Sequence, residues 1–146
     1  MSDFFDAMDV SASALSAERL RMNTISSNLA NAQTTRTAEG GPYRRKDAVV
    51  EAQPQRSFAS VLEGEMDVPL HHVKVVEVVS DPNAPKLVHN PDHPDADADG
   101  NVAYPNINTM EEMVNMMTAS RSYEANVTAL NVSRNMMNKA LEIGRK

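Results

Sequence analysis

The chain has 146 residues with 14 basic and 20 acidic side chains, a formal charge of −6, no cysteine, no tryptophan, three tyrosines and three phenylalanines. That length gives one compact domain at most, and the missing cysteine excludes disulfide scaffolds, thiolate-held metals and a cysteine nucleophile. Net acidity removes any general attraction to nucleic acid, and the only basic cluster is Arg44, Arg45 and Lys46. No apolar run of about 18 residues could span a membrane, and acids stand where a secretory signal peptide carries Lys or Arg, so no cleaved leader is expected.

All eight prolines fall between Pro42 and Pro105, which leaves both ends free to form helices. In the first segment, 1–35, Phe4, Met8, Ser11, Leu15, Met22, Ile25 and Leu29 recur at spacings of three, four or seven and predict one helix face. Glu18 interrupts that stripe. Small residues from Ser11 to Ala17 let another helix approach closely, and the helix is expected to end near Asn31, before the breakers Gly40-Gly41-Pro42.

The central segment, 36–105, reads as β-rich. Strands are predicted at Tyr43–Val50, Ser57–Leu62 and Val73–Val79, followed from Ser80 by a proline-, asparagine- and aspartate-rich irregular loop. Asp95, Asp97, Asp99 and Gly100 spell the opening of a calcium loop, but Asn106 stands where the bidentate Glu belongs and flanking prolines oppose the necessary helices. A solvated turn is the better reading. His71, His72, His89 and His93 match no metal-ligand spacing, and no nucleophile elbow or phosphate-cradling glycine loop is present, so neither a catalytic site nor a cofactor is expected.

The last segment, 106–146, gives the strongest signal. Met113, Met116, Ser120, Tyr123, Val127, Leu130, Arg134, Met137 and Leu141 alternate three-four over four heptads, with Asn108 or Thr109 available as cap and Glu111 and Glu112 at the positive end of the helix dipole. The fold class is therefore α+β: long terminal helices around a small β-rich middle. Two such helices with so little between them cannot cover all their faces in one monomer, so Leu15, Met22, Ile25, Leu29, Met113, Met116, Tyr123, Val127, Leu130, Met137 and Leu141 are expected to pack against other subunits. The basic residues Arg36, Arg44, Arg45 and Lys46 are candidates for ion pairs with a neighbour. The alternative is a soluble helical adaptor that binds one partner helix through its Met-rich face, Met110 to Met137.

Ser26-Ser27-Asn28-Leu29-Ala30-Asn31-Ala32-Gln33-Thr34-Thr35 followed by Gly40-Gly41-Pro42-Tyr43-Arg44-Arg45-Lys46 resembles the axial proteins of the bacterial flagellar rod and hook, the second run being particular to proximal-rod members. Val102-Ala103-Tyr104-Pro105-Asn106-Ile107-Asn108, Glu111-Glu112-Met113-Val114 and Ala119-Ser120-Arg121-Ser122-Tyr123-Glu124-Ala125-Asn126 look like the second signature of that family. The resemblance implies a structural subunit of the rod, without catalysis. It implies terminal helices that form a coiled-coil-like lining of a tube, and it adds the motif residues Asn28, Asn31, Thr34, Thr35, Glu124 and Asn126 to the expected interface. Implied partners are further copies, other proximal- and distal-rod proteins, the membrane-proximal rod adaptor and the flagellar export apparatus, in a periplasmic basal body reached without a cleaved signal.

Overall fold

Nothing between Ser2 and Ala30 opposes a helix, since the stretch holds neither proline nor glycine. In the computed structural model, which describes residues 2–55 and 70–144, α1 spans Ser2–Ala30. The turn that follows is closed by Asn31, whose N–H and Nδ2 both donate to the Ser27 carbonyl, at 3.1 and 2.9 Å. Gly40 and Gly41 then take φ values of +89° and +78°, a left-handed pair open to glycine, and reverse the chain.

Strands β1 (Lys46–Gln55) and β2 (Leu70–Ser80) form an antiparallel ribbon from Lys46↔Ser80 to Gln55↔Leu70, with a bulge at Val49/Val50 that leaves Val76 as the extra residue. The ribbon differs in its bounds from the expected strands. Tyr43 to Arg45 stay outside β1, the Tyr43 and Arg45 side chains serving a polar junction, and β1 runs on through Pro54, which an edge strand tolerates. The expected strand Ser57–Leu62 lies outside the described residues.

The irregular loop contains a second antiparallel pair, β3 (Lys86–His89) and β4 (Asn101–Tyr104). Four-residue strands set among prolines and aspartates leave too short an apolar pattern to read. Helix α2 spans Thr109–Gly144, and Asn108 caps it through Oδ1, which accepts the Met110 N–H at 3.2 Å.

Helix α1 touches α2 and both strands of the long ribbon. The helices run antiparallel: the end of α1 meets the start of α2 at Asn28 and Glu112, and half-buried α2 positions continue to Met137. The core is small. Among the described residues the fully buried apolar side chains are Ala17, Ile25 and Ala119 in the helices and Val102 in β4.

Candidate subunit interface

The two sequence runs carrying the resemblance meet in space. Asn28, buried at the end of α1, donates through Nδ2 to the Lys46 carbonyl at 2.8 Å and to Glu112 Oε2 at 3.2 Å. Its Oδ1 accepts the Lys46 N–H at 2.9 Å and the Tyr43 hydroxyl at 3.1 Å, which exhausts the amide's two donors and two acceptor sites. Glu112, equally buried, accepts Arg45 Nε at 2.8 Å through its other oxygen. One amide and one carboxylate thus tie α1, the start of β1 and the start of α2 together.

Partial burial disfavours the Arg45 charge, but hydrogen bonds and Coulomb attraction from Glu112, and then from Asp47, outweigh it and raise its pKa above the usual value. The basic run therefore divides. Within the chain Arg45 bonds Glu112 and Asp47, and the exposed Arg36 lies 3.8 Å from Asp95. Arg44 and Lys46 are exposed, with the Lys46 ammonium 5.9 Å from the centre of the Tyr43 ring. Asn31 and Thr34 are linked at 3.2 Å, and Thr35 donates to Asp95 at 2.8 Å, so these motif residues fasten the turn to the acidic loop. Around that seam Thr35, Arg36, Pro42, Pro94 and Val102 line an open cleft of about 460 Å³.

The acidic loop is organised by its own backbone. Asp97 Oδ1 accepts the N–H groups of Asp99 and Asn101 at 3.0 and 2.8 Å, and Gly100, at φ +74°, closes the turn. The carboxylate that a calcium site would need thus serves the turn itself. Among the described residues no three His, Asp or Glu side chains converge on a common point. His93 accepts the Asp95 N–H at 3.1 Å and packs edge-on against Tyr104, His89 Nδ1 lies 3.3 Å from Asn101 Oδ1, and His72 faces Asp9 at 3.9 Å.

The expected packing residues separate into two sets. Leu15, Met22, Ile25 and Leu29 of α1 and Met116, Tyr123, Val127, Leu130 and Met137 of α2 are buried or half-buried. Asn126 is half-buried too, bonded to the Ser122 carbonyl at 3.0 Å, whereas Glu124 is exposed. Met113 and Leu141 are exposed for different reasons. Met113 lies with Met110, Val114 and Met117 on the outward side of α2, in a row spaced three, four and seven residues apart that Val132 and Ile143 continue farther along, every member at least half exposed. Leu141 is on the inward side, but α2 has 36 residues against 29 in α1 and runs past its partner's end. Glu18 Oε2 is buried with no hydrogen-bond partner among the described residues.

Sequence reasoning did not assign Tyr43, Glu112 and Asp95 to any contact. The signal for Glu112 was its place beside the cap, which suited the helix dipole but gave no hint of a partner 84 positions away.

Residues 8–36 match the family described as flagella basal body rod protein, and residues 98–143 match the flagellar basal body rod FlgEFG protein C-terminal family. The chain is 45% identical to the flagellar basal-body rod protein FlgC of Bacillus subtilis, over 97% of this chain and 98% of that one. It is 41% identical to the protein of the same name in Salmonella typhimurium, over 94% and 95%, and 40% identical to that of Aquifex aeolicus, over 97% and 98%.

Proposed function

Because the chain belongs to the family of the flagellar basal-body rod protein FlgC and is a structural subunit of the proximal rod, we propose that it carries torque through side-by-side packing of its terminal helices. The family is structural and not enzymatic, and full-length kinship with rod proteins disfavours the adaptor reading. The observation that carries the proposal is the outward row of α2. Met110, Met113, Val114 and Met117 are 50–70% exposed, an apolar cluster on one side of the first turns of α2 that a partner would cover, and Val132 and Ile143 are exposed on the same side farther along.

In this reading the α1–α2 pair is the unit of a coiled-coil-like tube wall that encloses the export channel. Copies and other rod proteins cover the α2 strip, and the β1–β2 ribbon lies on the outside. Leu15, Met22, Ile25, Leu29, Met116, Tyr123, Val127, Leu130 and Met137 give the pair its shape from within, while Met113 and Leu141 contact neighbours directly. The exposed side chains of Arg44 and Lys46 face acids of an adjacent subunit. The subunit reaches the periplasm through the flagellar export apparatus and is placed between the membrane-proximal rod adaptor and the distal rod.

Changing Met113 and Met117 together to Asp tests this. Basal bodies from a strain carrying only the variant should lack rods beyond this subunit, while the purified chain keeps its helix content; normal motility would sink the proposal.

A further inference from the structure

Each apolar stripe of the helix pair is broken by one charged residue, and the two are of opposite sign. Glu18 interrupts the α1 stripe and Arg134 the α2 stripe. Glu18 has a buried carboxylate oxygen with no partner among the described residues, and Arg134 is exposed. A carboxylate with one oxygen buried and unbonded is costly to keep charged, and a cation brought by a neighbour to the rest of this half-buried side chain offsets that cost.

The two cannot meet within one chain. Asn28 bonds to Glu112, so counting ten residues back along α1 and ten forward along α2 puts Glu18 opposite Ser122. Arg134 lies twelve residues farther along α2, about 18 Å away at 1.5 Å per residue, beyond the reach of an arginine side chain. The cations nearer to Glu18 do not serve it: Arg121 is exposed on the outward side of α2, and Arg21, one turn along α1, makes no bond to it.

We propose that Glu18 receives Arg134 from a second copy of this chain, so that neighbouring copies pack helix pair against helix pair with an axial offset of about 18 Å. The inference rests on the helix-packing reading above and deepens it by naming the partner and the register. A charge pair closed only between copies fixes one offset among the several that apolar stripes of repeating period allow, the role that polar groups play in coiled-coil seams. It also explains why both stripes keep a charge that pairs with no opposite charge among the described residues.

Charge reversal and crosslinking test it on the full chain in its native rod. Glu18→Arg and Arg134→Glu should each reduce the number of completed rods by about tenfold or more, and the double reversal should restore them to within about twofold of the unmodified chain. Neither single variant removes a side-chain bond among the described residues, so the purified proteins should keep their helix content. Since the chain has no cysteine, the double variant Glu18→Cys with Arg134→Cys offers a direct readout. Oxidised basal bodies should then yield a disulfide-linked dimer, because the two positions are too far apart to join within one copy. Single reversals that build rods normally, a double reversal no better than the singles, or crosslinked samples that remain monomeric overturn the pair. If the Met113→Asp, Met117→Asp variant fails while the single reversals build rods normally, helix packing stands and only the pair falls; if that variant also builds rods, both fall.

Discussion

Asn28 and Glu112, 84 positions apart in sequence, are bonded side chain to side chain at 3.2 Å where almost no solvent reaches either. Each also holds the start of β1, Asn28 through the Lys46 backbone and Glu112 through Arg45. The junction therefore converts two sequence motifs at opposite ends of the chain into one rigid corner.

Asn28→Ala should be among the most destabilising single changes. It strands the Lys46 N–H and carbonyl and one oxygen of Glu112 at once and leaves the Tyr43 hydroxyl only Ser27 Oγ at 3.2 Å, for a loss of about 2–4 kcal/mol. Denaturant unfolding followed by circular dichroism measures it, and a midpoint equal to the parent's contradicts the junction's role.

Leu130→Asp and the outward pair Met113→Asp, Met117→Asp should fail differently. Leu130 is half-buried on the α1-facing side, so Asp there puts a charge in the helix seam and costs the isolated chain about 2–4 kcal/mol, in addition to blocking rod growth. The outward pair should leave the melting temperature of the isolated chain nearly unchanged. Thermal melts of both separate seam from surface.

Gly100→Ala should open the acidic loop. Its φ of +74° strains any L side chain, and a Cβ there meets His89 Cε1 at 3.0 Å and Pro91 Cβ at 3.2 Å. A loss of about 1–3 kcal/mol is expected, with faster amide exchange in β3 and β4 before the helices change.

Calcium at about 1 mM, the weak end of protein calcium sites, should not raise the melting temperature, because Asp97 Oδ1 already accepts two backbone N–H groups. A rise of several degrees would reinstate the calcium loop.

Acid should weaken the end of the ribbon. The Asp81 carboxyl is held below the usual carboxylate range, chiefly by the Asn83 backbone N–H and also by the charge of Arg45. A lowered folded-state pKa gives stability that is present above the unfolded value and lost as pH falls through the folded one. Asp81→Asn should therefore flatten the acid limb of a stability profile below about pH 4, by a small amount because the group is fully exposed.

Both helices were legible because each is long, free of proline and periodic, and the Asn108 cap announced the start of α2. The assignment of α2 faces was less so. A strict three-four stripe has a period near 3.5, and a straight helix drifts about 20° per heptad away from it, which carries Met113 to the outward side while Met116 to Met137 stay inward. The fate of the basic run was not legible either. Arg44, Arg45 and Lys46 are alike as letters, and only the approach of Glu112 from across the fold distinguishes Arg45. The hairpin of β3 and β4 was hidden because its strands are four residues each.

The unequal lengths of the two helices leave the subunit with a ragged edge, where Leu141 and Ile143 protrude as a bare tongue beyond the end of α1. Pieces shaped this way interleave like bricks in staggered courses, and masonry so laid offers a twisting load no continuous joint along which to shear.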